Sequence, residues 1–251
     1  MSPVFEKEIQ DKPFLRWVSN AAAILGVIAF WGGMLMAASR YPSEYAWRYL
    51  PVSNLVSPDR NPAGYLWAST GSVFCGICWL YWSAALARRR TQEGAGYRPG
   101  GIWALRFGNI CMIGAAVLPR WLLPLQKGHE ILAVLAFVCS CIGVVFLMFQ
   151  TVKQTLLIRM RRSIVHEQLY AALVAGAVVL PIVLAGLSQA YVHFMLPELP
   201  WVNLSWRARG VPVYLSFAFW EWVTCVVLSA YMVILALVSH AIYPDRKSQG
   251  W

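Results

Sequence analysis

Seven side chains have the types and the placing to do chemistry: Ser53, Asp59, Arg120, His129, Gln189, His193 and Glu221. A carboxylate and an imidazole can share general acid and base work, which makes His129 and Glu221 the candidates for any catalytic role, though their spacing assigns none. Arginine suits phosphate, because its planar fork donates two hydrogen bonds at once. His129 and His193 with Asp59 and Glu221 carry the donor types of a zinc site with an open position, but they are scattered over four segments without diagnostic spacing. No metal and no other cofactor is therefore expected. Neither G-x-S-x-G, H-E-x-x-H, a P-loop nor C-x-x-C-H occurs, so several large enzyme classes lack a motif here.

The elements that must hold these residues are set by composition. The 251 residues are 59% hydrophobic and only 13% charged, which excludes a water-soluble globule. Apolar runs recur that are long enough to cross ~30 Å of hydrocarbon as helices. The expected fold is all-α: a polytopic membrane protein, one bundle of six transmembrane helices over 1–251. The spans are placed at about 17–39, 65–87, 102–124, 129–152, 169–194 and 213–242. The first is longer than the apolar region of a secretory signal and is read as an uncleaved helix.

Charge then orients the bundle. Thirteen of the 21 Lys and Arg lie in the N-terminal tail, the 88–101 and 153–168 connectors and the C-terminal tail. Six lie on the other side: Arg40, Arg48, Arg60, Lys127, Arg207 and Arg209. That bias puts both termini in the cytoplasm. The net charge of +10 is thus a topology signal beside anionic lipid, and nucleic-acid binding loses its support. Trp47, Trp67, Trp121, Trp201 and Trp206 mark the outer boundary and Trp17 and Trp103 the inner one, as aromatic anchors.

Orientation fixes depth. Arg120, His129, Gln189 and His193 fall near the outer ends of spans three, four and five, and Glu221 falls roughly 12 Å below the outer end of span six. Ionisable groups inside a membrane cost about 2.5–3.5 kcal/mol at a helix centre on insertion scales, so they face a bundle interior or a wet cavity. Gln189 and His193, four apart, share a helix face. The first outer loop contributes Ser53, Asn54, Ser57, Asp59, Arg60 and Asn61 within PVSNLVSPDRNP, a turn-rich stretch with the composition of an ordered loop.

Other features carry less. Cys75, Cys78, Cys111, Cys139, Cys141 and Cys225 all fall within spans and read as small buried hydrophobes. Pro181 interrupts the fifth span and predicts a kink, with Ala172 and Gly176 allowing close helix approach nearby. Asn203-Leu204-Ser205 is a glycosylation sequon on the expected outer side.

The chain resembles the Frag1/DRAM/Sfk1 group, also described as the N-terminal region of the Cwh43 family. The residues that carry the resemblance are Leu50-Pro51-Val52-Ser53 and Asn61-Pro62 in the outer loop, Asn109 and Gly114 in span three, His129, Ala133 and Phe137 in span four, and Phe219-Trp220-Glu221-Trp222 in span six. The resemblance implies six helices and lipid handling, with His129 and Glu221 as the polar pair and Ser53 in the shared outer loop.

Three functions remain open on these grounds. The first is lipid binding or organisation through an outer-leaflet pocket of Ser53, Asp59, Arg120, His129, Gln189, His193 and Glu221, with Arg120 on phosphate and Glu221 on a cation. The second is a lipid-modifying enzyme, by acyl transfer or hydrolysis, at the same pocket, with His129 as general base or with His129, His193, Asp59 and Glu221 as a metal site. The third is a structural membrane partner in which the ionisable groups clamp helices. The expected partner is a membrane lipid, anionic or phosphate-bearing, with a protein partner or a homo-oligomer as a further expectation. The expected location is a plasma membrane or bacterial inner membrane. A channel or carrier is disfavoured, since the polar groups are confined to one leaflet and no inverted repeat is visible.

Overall fold

The computed structural model describes residues 13–92, 99–118, 128–159, 164–195, 205–208 and 210–242. Six long helices make up most of them: α1 Pro13–Ala38, α2 Tyr65–Gln92, α3 Gly100–Val117, α4 Gly128–Arg159, α5 Ile164–Met195 and α6 Phe217–Ile242. Single turns form at Val52–Asn54, Ser205–Ala208 and Val213–Leu215, and no strand occurs among the described residues. Among the described residues five helices, α1, α2, α3, α4 and α6, are long and apolar enough to cross a membrane, and the described part of α5 holds the apolar stretch Val179–Met195.

Several boundaries differ from the expected spans for identifiable reasons. The third span, expected to run to 124, is helical only to Val117. Leu118 turns extended (φ −79°, ψ 108°), as a residue preceding proline does, because the ring of Pro119 crowds the helical geometry there. Arg120, expected in that span, lies outside the described residues, as do Trp121, Lys127, Trp201, Asn203 and Arg209. The sixth span starts as the 3-10 turn Val213–Leu215 and becomes α6 only at Phe217. α4 continues to Arg159 and α5 begins at Ile164, so most of the connector expected at 153–168 is helix. α5 also continues on both sides of the buried Pro181.

Consecutive helices pack against one another from α1 to α6, and α6 returns to α1 and α4, closing the bundle. Small residues set the two tightest pairs. On α1, a Cβ added at Gly33 would sit 2.5 Å from the Trp67 carbonyl oxygen and 3.1 Å from Gly71 Cα of α2. Between α3 and α4, a Cβ at Gly143 would meet Leu105 N at 2.7 Å, and one at Gly108 would meet Ser140 N at 2.8 Å. Lipid offers no hydrophobic drive between helices, so close backbone packing supplies the attraction instead. Gly176, expected to serve such a contact, meets nothing within 4 Å.

The outside of the bundle is apolar and the inside is not exclusively so. Leu25, Ile28, Leu35, Ile77, Phe107, Ile110, Phe146 and Leu237 are exposed, while Ser19, Asn20, Ser72, Asn109, Thr224 and Ser229 are buried. A soluble monomer rarely exposes apolar area on this scale, whereas a multi-pass membrane protein presents it to lipid. The six cysteines are free thiols.

The α1–α2 contact gives a controlled test. Gly33→Ala should lower unfolding stability in detergent by about 1–3 kcal/mol through overpacking. Gly32→Ala should not, because nothing lies within 4 Å of that position. Equal effects of the two substitutions, followed by circular dichroism, would contradict the packing.

Candidate functional site

The loop between α1 and α2 is folded over one end of the bundle, and its order comes from hydrogen bonds to side chains. Glu221, one turn into α6, accepts the Val52 backbone N–H at 3.0 Å through Oε2. Next to it, Trp222 Nε1 donates to the Leu50 carbonyl at 3.1 Å. The Tyr45 hydroxyl is shared between the carbonyls of Leu50 (3.0 Å) and Pro51 (2.9 Å). Asn61, fully buried, donates from Nδ2 to the Ala37 carbonyl at 3.0 Å, a second bond to an oxygen in the last turn of α1 that also accepts the Arg40 N–H at 3.2 Å. Leu55 buries itself with Met34, Ala37, Ala68 and Trp222. Irregular backbone near hydrocarbon must find protein partners, and this loop finds them in its own turns, on Tyr45 and on Glu221 and Trp222 of α6.

The fixed loop forms the roof of a cleft of about 670 Å³. The polar part of its wall is Ser53, Asn54, Ser57, Arg60, His129, Gln189 and Glu221. The apolar part includes Val134, Phe137 and Val138 of α4 and Ile182, Ala185 and Gly186 of α5. Val134 and Val138 are also exposed on the bundle surface, so the cleft opens sideways between α4 and α5. Below it, a second cavity of about 130 Å³ lies among α1, α2, α3, α4 and α6. Glu221, Ser53, Ala133 and Phe137 line both.

Each polar group reaches the cleft by a distinct local cause. His129 stands at the second residue of α4, 6% exposed, with Nδ1 2.8 Å from the Ala115 carbonyl in the last turn of α3. A carbonyl only accepts, so Nδ1 carries the proton in that contact and Nε2 is the acceptor of the neutral ring. Ser57 is buried in the loop, and its Oγ has no hydrogen-bond partner among the described residues; the same holds for Gln189 Nε2 on α5. Arg60 is exposed at the rim and makes no ion pair or hydrogen bond among the described residues. Its charge acts on Tyr41, whose phenol is raised by burial and partly drawn back by Arg60. The Tyr45 phenol is raised by burial first and by the Glu221 carboxylate second.

The structure therefore brings together four of the seven residues singled out above: Ser53, His129, Gln189 and Glu221. Asp59 is exposed and does not line the cleft. Neither does His193, which is exposed with its ring edge-on to Phe194 at 5.0 Å. One turn beyond Gln189, His193 has passed the rim of the cleft. Among the described residues no three His, Cys, Asp or Glu side chains come close enough to hold a metal. Arg60, which the sequence places in the same polar loop as Ser53 but not among the seven candidates, is a cation of the cleft wall.

No protein-family model matches the chain, and neither curated proteins nor solved structures provide a match. The class is thus an all-helical chain with several helices able to cross a membrane and a half-polar cleft at one end.

The loop contacts separate charge from hydrogen bonding at position 221. Glu221→Gln retains an acceptor for the Val52 N–H and should unfold close to wild type. Glu221→Leu leaves that N–H buried and unpaired, a loss of about 1–3 kcal/mol. Equal destabilisation by both, measured by thermal unfolding in detergent, would show that the contact does not hold the loop.

Proposed function

We propose that this protein binds or organises membrane lipid through the cleft, held in the outer leaflet of a plasma membrane or bacterial inner membrane. The observation that carries the reading is the division of the cleft wall. One end offers Arg60, Ser57, His129 and Gln189, and the other offers apolar α4 and α5 surface opening towards the bilayer. A lipid has the same division. Its phosphate lies at Arg60, whose fork donates two hydrogen bonds, with the Ser57 hydroxyl and Gln189 amide as further donors. An acyl chain leaves between Val134, Phe137, Val138 and Ile182.

The topology proposed with it has six spans, α5 being the sixth membrane helix, and both termini in the cytoplasm by the excess of Lys and Arg on that side. The resemblance to the Frag1/DRAM/Sfk1 group supports the same reading, since lipid handling is what that likeness implies. Arg60 takes the phosphate-binding part first expected of Arg120.

A second reading, in which the polar residues serve only to hold helices and loop together, is favoured by two contacts. Glu221 pins Val52, and His129 ties the start of α4 to the end of α3. It does not account for Arg60 and Gln189, whose donors have no such use among the described residues.

Two measurements test these proposals. Arg60→Gln should reduce the phospholipid that co-purifies, quantified by mass spectrometry, by roughly tenfold, the worth of a charge-assisted hydrogen bond. Arg40→Gln removes the same charge from a residue stacked over Trp67 outside the cleft, and should retain lipid as wild type does. Unchanged retention in Arg60→Gln would overturn the lipid reading. For topology, Asp59→Cys should react with a membrane-impermeant maleimide from outside intact cells, and Lys247→Cys only after permeabilisation. Labelling of both from one side would overturn the six-span arrangement.

A further inference from the structure

Arg60 and Glu221 line the same cleft without forming an ion pair. Opposite charges held apart across a cavity are complementary to a ligand carrying both signs. Among the described residues no cation pairs with Glu221. Its Oε2 is occupied by the Val52 N–H, and Oε1 has no hydrogen-bond partner among the described residues. A carboxylate at this depth is costly unless a positive charge comes to it.

The cavity beneath Glu221 limits what that positive group can be. Its volume of about 130 Å³ is close to the ~150 Å³ that admits a benzene-sized guest. Phe30, Trp79 and Phe137 contribute aromatic rings to it, and Met34, Val52 and Met112 add apolar wall. The Trp79 indole N–H is already used on the Ala23 carbonyl. Besides Glu221 the polar groups of the wall are the hydroxyls of Ser53, Ser72, Ser140 and Ser229, the last already accepting the Trp31 indole N–H, and a primary ammonium would have to place three N–H donors among them. A quaternary ammonium has none; its methyl groups suit apolar wall, and its charge suits aromatic faces and one carboxylate.

We propose that the inner cavity at Glu221 is a subsite for a quaternary ammonium group, so that cleft and cavity together select a phosphodiester zwitterion of the choline type. This rests on the lipid-binding reading and narrows it: phosphate at Arg60, trimethylammonium past Glu221 among Phe30, Trp79 and Phe137. A membrane phosphatidylcholine and a soluble glycerophosphocholine share that chemistry.

The test uses the full chain in nanodiscs containing equal parts of phosphatidylcholine, phosphatidylethanolamine and phosphatidylglycerol, with bound lipid read by native mass spectrometry. Wild type should prefer phosphatidylcholine over each of the others by about tenfold, the scale of a desolvated cation on aromatic faces with a carboxylate. Glu221→Gln, which keeps the Val52 contact, should bring the ratio near one. If that variant does not fold, Phe137→Leu, which removes an aromatic wall, should lower the ratio. Phospholipid bound by wild type without preference, or a preference that survives both substitutions, overturns the quaternary-ammonium subsite alone. No retained phospholipid of any kind, with no binding of glycerophosphocholine, overturns the lipid reading itself. Glycerophosphocholine displacing bound phosphatidylcholine assigns recognition to the headgroup and to a soluble source. Its failure to compete, with the phosphatidylcholine preference intact, makes the membrane lipid the ligand.

Discussion

The arrangement depends on how the irregular backbone of the first loop is satisfied at the end of the bundle. Leu50, Pro51 and Val52 present two carbonyls and an N–H where water is scarce, and Tyr45, Trp222 and Glu221 supply their partners. Each such bond is modest in net worth, ~1 kcal/mol for neutral partners and ~1.5–3 for a charged one, but leaving a buried group unmade costs more. The loop is thereby fixed against α6, and its far end is fixed against α1 by Asn61. Without those contacts Ser57 and Arg60 would have no defined place over the bundle, and there would be no roof above the cleft.

The helices contribute rigidity and depth. Gly33 with Gly71, and Gly108 and Gly143 against α4 and α3, bring backbones close enough that side-chain bulk is excluded from two of the interfaces. The third strong constraint is His129, which joins α3 and α4 at their shared end through the Ala115 carbonyl. One consequence is that Glu221 and His129 each hold structure and line the cleft at once. Support and recognition are therefore coupled at these two positions and separable at Arg60 and Gln189.

Much of this was legible in the sequence, and the remainder was not for physical reasons. Apolar runs long enough to span a membrane place the helices, and the Gly, Pro, Asn and Asp content of PVSNLVSPDRNP announces an ordered loop. Glu221 stands out as the carboxylate an apolar helix should not contain. Topology gives depth only to within about a turn, and that is why Gln189 reaches the cleft whereas His193, on the same helix face one turn further, lies beyond its rim beside Phe194. The sequence leaves Glu221 to pair with Arg120 or a histidine or to stay protonated; a backbone N–H from a loop 169 residues away carries no signal in sequence. Arg60 is legible as a polar residue of the first outer loop, but nothing in the sequence sets it apart from its loop neighbours as the one that lines the cleft with a charge. The end of α3 at Val117 was available in Pro119, whose effect on Leu118 acts before the apolar run ends.

The central claim is that a lipid occupies the cleft with its phosphate at Arg60. The most direct measurement is a cryo-electron microscopy map of the protein in lipid nanodiscs. The account predicts headgroup density between Arg60 and Gln189 under the first loop, with a chain leaving between α4 and α5. Density confined to the outer belt of the bundle, with the cleft closed by protein side chains, would contradict it.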